Sequence, residues 1–220
     1  MCKNSENDLK PLSVQALKRM PLYLAYLTNI KTNGEIYISA AAVAKELELN
    51  EVQVRKDLAY VCKSRGIPKK GFVIKDLTDG ISEYLGYNNV NDAIVVGVGK
   101  LGRALMDYSG FSKYGLNIIA GFDCNKNVIN NKDVFDMDKL KGLCARLKIK
   151  IAVITTPAVY AQQVCDELID AGILAIWNFA PVYLKTPRSI LVQNENMASD
   201  LALLSNYLRK KINTNGGETV

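Results

Sequence analysis

The chain contains no histidine. Histidine is the side chain whose unperturbed pKa lies nearest neutrality, which makes it the commonest general base and metal ligand. Its absence excludes Ser-His-Asp and Cys-His catalysis and every His-based metal site. An enzyme built on this chain would have to move protons through lysine, tyrosine or a carboxylate. Long apolar runs are missing too. No stretch of about 18 apolar residues occurs, so no transmembrane helix is expected. The opening MCKNSENDLKPL lacks the apolar segment of a signal peptide. The five cysteines, Cys2, Cys62, Cys124, Cys144 and Cys165, are odd in number, widely spaced and without a C-x-x-C pair. That pattern argues for reduced thiols in a cytoplasmic protein, and against a disulfide framework or a zinc site. Cys124, beside an acid at the end of an expected strand, reads as a small buried residue rather than a redox switch.

What is present is the composition of a globular protein: 220 residues, 49 % hydrophobic and 23 % charged, enough chain for two domains. The net charge of +6 is shared evenly, with 13 Lys/Arg against 10 Asp/Glu in residues 1–88 and 15 against 12 in the remainder. Only its local distribution is informative. Arg55, Lys56, Lys63, Arg65, Lys69, Lys70 and Lys75 are opposed within their own segment by Asp57 alone, a concentration of charge that attracts a polyanion.

The N-terminal part reads as helical. Ser13 is an expected cap, and Pro21 marks a kink or a fresh first turn. Tyr23, Tyr26, Leu27 and Ile30 then recur with helical spacing until Lys31-Thr-Asn-Gly34. A short strand at Ile36–Ile38 precedes Ser39, the cap of a helix AAAVAKELEL, and a third helix EVQVRKDLAYV follows within a few residues. Two short helices across a tight turn, the second basic, form the helix-turn-helix pattern. The segment CKSRGIPKKGF with Val73-Ile74 as a return strand reads as a basic hairpin or wing, and Asp76–Leu85 as a connecting helix. Cations on the third helix and wing suit DNA, with Ser39, Gln53, Arg55, Lys56, Lys63, Arg65, Lys69 and Lys70 as contact candidates. The alternative is a solvated basic face on a helical bundle.

From Asp92 the pattern becomes strand alternating with helix: Ala93–Val96, a helix at Leu101–Tyr108, Asn117–Phe122, a helix at Asp138–Leu147, Lys150–Ile154, a helix at Ala158–Ala171, and Ile173–Trp177. This alternation implies a parallel sheet. Gly97-x-Gly99-x-x-Gly102 follows a strand, opens a helix, and lies 21 residues before Asp123, as a dinucleotide fingerprint requires. Gly97 permits the tight turn, Gly99 lets backbone approach a pyrophosphate, and Gly102 allows helix to pack on strand. Val98, Lys100 and Leu101 complete the loop, whose helix N-terminus supplies free N–H groups. Asp123 would accept ribose hydroxyls and repel a 2′-phosphate, which favours NAD(H) over NADP(H). Thr155-Thr156-Pro157 and Asn178-Phe179-Ala180-Pro181 follow later strands and are expected to border the nicotinamide half. A glycine turn that binds nothing, or a CoA-type site, is the alternative. The last helix, Met197 to about Lys210, places Leu201, Leu204 and Leu208 on one face, before a polar tail expected to be disordered.

With PLYLAYL, QVRKDL, VGVGKLGRAL, the FD pair at Phe122-Asp123, NFAP and N-x-x-x-A-x-x-L in one order, the chain between about Leu17 and Leu208 resembles the Rex family of bacterial redox-sensing repressors. The resemblance implies an α/β protein: a winged helix-turn-helix DNA-binding domain over residues 1–88 and a Rossmann-type NAD(H)-binding domain over 89–193. A C-terminal dimerisation helix, swapped across a homodimer, would cover 194–212, and a tail 213–220. It implies release of double-stranded operator DNA, an inverted repeat, by NADH, and it places Tyr108 near the nicotinamide. Gln53, Arg55 and Lys56 match the family's recognition helix. The chain departs from the family at VCKSRGIPKKGF, where wing glycines and aromatics are lost, and at Ala25 and Asn196, where members often carry an arginine and an aspartate. Loss of that ion pair predicts altered coupling between DNA and nucleotide. A DNA-binding regulator with an uncoupled or differently liganded Rossmann domain, and an NAD-dependent oxidoreductase, are the competing readings.

Overall fold

The computed structural model describes residues 12–64, 66–88, 91–129 and 133–215. It divides into two compact units, Met1–Asn89 and Val90–Val220. The first comprises α1 (Val14–Thr32), β1 (Tyr37–Ile38), α2 (Ala40–Glu46), α3 (Glu51–Val61), β2 (Phe72–Val73) and α4 (Ile74–Tyr84). Polar caps set three of its helix starts. Ser13 Oγ accepts from Ala16 N at 3.2 Å, Ser39 Oγ from Ala42 N at 3.1 Å, and Asn50 Oδ1 from Gln53 N at 3.2 Å.

Pro21 neither restarts nor ends a helix; α1 runs through it unbroken for 19 residues. A proline inside a helix costs about 3 kcal/mol. That cost is offset because Ala16, Met20, Tyr23 and Leu27 are buried along one face of the same helix, and full burial of a large apolar side chain is worth roughly 1.5–3 kcal/mol. Helix α2 stops at Glu46, short of the expected ELEL, because Glu48 turns the chain with φ of 53°. The wing differs from a free hairpin. Strand β2 starts at Phe72 and pairs antiparallel with β1, Tyr37 opposite Val73 and Ile38 opposite Phe72, while Ile74 opens α4 instead of continuing the strand. The basic loop closes on itself ahead of β2, with Ile67 N donating to Gly71 O at 2.6 Å and Gly71 N to Ile67 O at 2.9 Å.

The second unit comprises β3 (Asn91–Val96), α5 (Lys100–Asp107), β4 (Leu116–Asp123), α6 (Lys126–Ile129), β5 (Val134–Asp136), α7 (Leu140–Leu147), β6 (Ile151–Ile154), α8 (Ala158–Asp170), β7 (Ala175–Asn178), β8 (Leu191–Asn194) and α9 (Met197–Asn215). Its sheet has the order β5-β4-β3-β6-β7-β8, and every neighbouring pair is parallel. Four successive residues of β3, Ala93 to Val96, are buried, as expected for a strand covered on both faces. Strands β5 and β8 had no counterpart in the sequence pattern, and β7 begins at Ala175 rather than Ile173. Helix α9 continues to Asn215, beyond Lys210 and into the expected tail; residues 216–220 lie outside the described residues. Leu201, Leu204 and Leu208 are each more than half exposed, together with Met197, Leu203, Tyr207 and Ile212. Among the described residues, no helix is long and apolar enough to cross a membrane.

Candidate nucleotide cleft and nucleic-acid interface

Strand order reverses between β3 and β6, and a cleft of about 440 Å³ opens beyond their carboxyl ends, the position at which open parallel sheets bind ligands. Gly97, Gly99, Asp123, Thr155, Thr156 and Pro157 all line it. The turn after β3 is held by the chain itself. Gly97 has φ of 93°, and a Cβ on Gly102 would lie 2.2 Å from Gly97 O, so α5 can rest on the strand only through glycine. Thr155 Oγ1 donates to that same Gly97 oxygen at 2.6 Å. Asp123 Oδ2 accepts from Val98 N at 2.7 Å and Oδ1 from Asn125 N at 2.8 Å. Each carboxylate oxygen retains a lone pair for a further donor.

Three features fit this cleft to a dinucleotide. No side chain caps α5, so the N–H groups of Lys100, Leu101 and Gly102 at its first turn are free of a cap and available to phosphate oxygens. A Cβ on Gly99 would meet no protein atom within 4 Å, so that position leaves room which the chain's own packing does not use. The hydroxyl of Thr156 is buried without a hydrogen-bond partner. Val98 is buried behind the loop, whereas Lys100 and Leu101 are exposed.

Other candidates sit elsewhere. The Asn178 side chain is fully buried and its bonds are spent on its own turn. Nδ2 donates to Val182 O and Asn194 Oδ1, each at 2.8 Å, and Oδ1 accepts from Ala180 N at 3.0 Å. Asn178 therefore braces the sheet end, and Ala180 is buried beside it. Tyr108 does not line the cleft. It starts an aromatic row in which Tyr108, Phe111, Trp177 and Phe179 follow one another at centroid separations of 4.9, 5.8 and 4.7 Å. Trp177 Nε1 donates to Glu195 Oε1 at 2.8 Å. Asn196 accepts from Ser199 N at 3.1 Å as the cap of α9, and Ala25 is exposed on α1.

Sequence reasoning missed Cys124, Met137, Tyr160, Gln163, Val164 and Glu167, which with Val96 of β3 complete the cleft lining. The four from α8 are separated by three, one and three residues, a helical face whose periodicity was legible. Cys124 corrects an expectation: it is exposed, not buried, because β4 ends at Asp123 and the next residue turns into the cleft mouth. Among the described residues the buried thiols are Cys144 and Cys165, and burial pushes the latter up to about 11.

In the first unit, α3 turns Gln53, Arg55 and Lys56 to solvent, with Ser39 exposed at the α2 start and Lys69 and Lys70 on the turn before β2. Arg65 lies outside the described residues. Several of these cations have exposed internal partners: Arg55 pairs with Glu51, Lys63 with Glu83, and Lys70 stands 5.2 Å above the Tyr37 ring. Such exposed pairs are worth little and exchange readily for phosphate. On the inward side of α3, Asp57 is buried and receives Arg19 and Tyr23 from α1. Burial, then the bond to Asp57, pushes the Tyr23 hydroxyl up to about 12. Burial alone would lower the Arg19 guanidinium, but its bonds to Asp57 and Tyr23 raise it.

Comparison with known proteins covers both units. Residues 88–182 match the family described as CoA binding domain, and residues 12–59 the one described as Putative DNA-binding protein N-terminus. A protein of Treponema denticola named Redox-sensing transcriptional repressor Rex is 38 % identical over 89 % of this chain and 95 % of its own length. A protein of the same name from Porphyromonas gingivalis is 36 % identical over 88 % and 90 %. Among solved structures, RSP in complex with β-NAD⁺ and operator DNA superposes with a TM-score of 0.86 at 29 % identity, covering 96 % of this chain and all of the other. RSP with β-NADH gives 0.82 at 28 % identity, covering 94 % and 99 %.

Proposed function

The chain belongs to the Rex family of redox-sensing transcriptional repressors, and from that premise we propose that it is a cytoplasmic, homodimeric, DNA-binding repressor whose operator affinity follows the NADH/NAD⁺ ratio. The relatives it matches are named as transcriptional repressors. The observation that carries the reading is that one chain holds both halves of the device: an α3 that turns Gln53, Arg55 and Lys56 to solvent, and a cleft whose free α5 N-terminus and acidic Asp123 suit an NAD-type dinucleotide.

The geometry supports one assignment of residue roles. Lys100, Leu101 and Gly102 offer backbone N–H groups to the pyrophosphate, Gly99 leaves it room, and Asp123 takes the adenosine ribose hydroxyls while holding Val98 in place. Its charge opposes a 2′-phosphate. The bound nucleotide supplies a signal, since its nicotinamide is either charged or neutral, and no residue here is required to transfer hydride. On the other unit, α3 enters the major groove and the turn carrying Lys69 and Lys70 contacts backbone. The exposed apolar face of α9 supports a dimer, which sets two copies of α3 on an inverted repeat.

The test is fluorescence anisotropy of a labelled inverted-repeat duplex at fixed salt, with NADH and NAD⁺ titrated separately. Release by NADH and retention with NAD⁺ is the expected result. Equal DNA affinity with saturating NADH and without it would refute redox control in this chain and favour a DNA-binding regulator uncoupled from its nucleotide; the neutral Ala25 and Asn196 bear on how large the NADH effect is.

A further inference from the structure

Arg19 lies on α1, outside the helix-turn-helix, yet it reaches α3 at two residues one turn apart. Its Nε and Nη2 donate to Asp57 Oδ2 at 2.9 and 2.7 Å, and the Tyr23 hydroxyl donates to the same oxygen at 2.9 Å. The Arg19 and Asp57 side chains are only 16 % and 7 % exposed. With the Gln53 amide turned so that oxygen and nitrogen both find suitable partners, its oxygen lies 3.1 and 3.2 Å from Arg19 Nη2 and Nη1. One planar guanidinium thus joins a buried carboxylate to an exposed amide on α3.

The chemical consequence concerns what Gln53 has left to offer. An amide oxygen carries two lone pairs and its nitrogen two hydrogens. Both lone pairs face Arg19, so the outward part of Gln53 is a donor only. A free glutamine reads adenine by donating to N7 and accepting from the N6 amino group. That bidentate pairing needs the acceptor Arg19 occupies. The edges that match a donor-only amide are guanine, with acceptors O6 and N7, and thymine, with O4.

We propose that Arg19 is a specificity-determining positioning residue: by holding the Gln53 oxygen it makes α3 select guanine or thymine, and reject adenine, at the base that Gln53 faces. The proposal rests on the DNA-binding reading above, and failure of the wild-type chain to retain any duplex would overturn both. Its own test is separate. Duplexes bound from a randomised pool are sequenced for the wild type, Gln53→Ala, Gln53→Glu and Arg19→Lys, and single-substitution duplexes are then measured by anisotropy at one salt concentration.

Loss of discrimination at one position with Gln53→Ala locates the contact, where the wild type is expected to prefer guanine or thymine over adenine by about tenfold. Gln53→Glu, a solvent-facing near-isostere, replaces the donor by an acceptor and is expected to shift that position toward cytosine, whose N4 amino group donates. Arg19→Lys keeps a cation beside Asp57 but loses the planar fork; it is expected to admit adenine at that position while preference elsewhere in the half-site stays unchanged. Circular dichroism and melting verify its fold, and the two Gln53 variants keep the proposal open to refutation should it fail to fold. A wild-type preference for adenine there, an unchanged profile in a folded Arg19→Lys, or uniform weakening by Gln53→Ala, as for a phosphate contact, each overturns it.

Discussion

Replacing Gly102 by alanine tests the nucleotide loop at the point where backbone meets backbone. The added Cβ would lie 2.2 Å from Gly97 O and 2.9 Å from Thr155 Oγ1. An ordinary C···O approach is about 3.3 Å, so α5 must withdraw from β3 by roughly 1 Å. Overpacking of that kind costs about 1–3 kcal/mol, and disruption of the Thr155 bond to Gly97 O adds about 1 kcal/mol. The total of roughly 2–4 kcal/mol lowers the melting temperature of the second unit by about 8–16 °C, at some 4 °C per kcal/mol for a unit of this size. Binding suffers as well, because Lys100, Leu101 and residue 102 carry the N–H groups proposed to meet the pyrophosphate. Loss of one charge-assisted hydrogen bond, about 1.5–3 kcal/mol, weakens NADH by roughly 10- to 150-fold. Calorimetric melting and an NADH titration, performed well below the variant's melting point, read the two effects. Thr155→Val isolates the smaller one, with an expected loss of about 4 °C. If Gly102→Ala melted within 2 °C of the wild type and bound NADH within threefold, the close approach of α5 to Gly97 would not be what shapes the loop.

Four further expectations follow from residues described above. Asp123→Asn removes the charge that opposes a 2′-phosphate; the preference for NADH over NADPH is expected to narrow about tenfold, and an unchanged ratio in parallel titrations would refute the assignment. Lys56→Ala is expected to weaken all duplexes alike and to lower the slope of log affinity against log salt by about 1, whereas a sequence-dependent loss would place Lys56 on a base. Leu204→Glu puts a carboxylate into the apolar face of α9 and is expected to yield monomers in sedimentation at micromolar concentration; an unaltered dimer would locate the interface elsewhere. Tyr23, at about 12 against an ordinary 10.0, and Cys165, at about 11 against 9.0, are both held in their neutral forms by burial. Their contributions are complete below the ordinary value and fade as pH rises toward the folded one, so the second unit is expected to lose stability above pH 9 and the first above pH 10. Cys165→Ala should flatten the earlier decline in melts between pH 8 and 11.

Where chemistry and periodicity agree, the fold was legible. The segment EVQVRKDLAYV coincides with α3, which Asn50 caps and which buries Val54, Leu58 and Val61, and the apolar run Ala93–Val96 marked the buried part of β3 but not its first two residues. The strands that escaped notice are short and carry no such pattern: β5 is the tripeptide Val134–Asp136, and β8 alternates burial through Leu191-Val-Gln-Asn194 at a sheet edge. The fresh first turn that Pro21 offered did not form, because the buried face of α1, Ala16, Met20, Tyr23 and Leu27, continues past it. In the site, the glycine loop, Asp123 and Thr155–Pro157 were readable since strand ends converge at the order reversal. Asn178 was not, because whether an amide beside a strand faces a ligand or its own turn depends on where Val182 and Asn194 return to meet it. Arg19 was invisible for a related reason: its partners on α3 lie 34 and 38 residues away, and its local bond to Tyr23 does not point to them.

The chain has a single tryptophan, and its indole N–H is bonded to Glu195, the residue just before the cap of α9. Indole emission responds to loss of such a bond and to the ring contacts with Phe111 and Phe179. All ultraviolet-excited indole signal from this protein therefore originates in β7, at a ring hydrogen-bonded to the turn through which α9 joins the sheet. Any rearrangement of that helix is thus expected to be visible as a spectral shift in the unlabelled protein, on whatever timescale a stopped-flow instrument can resolve.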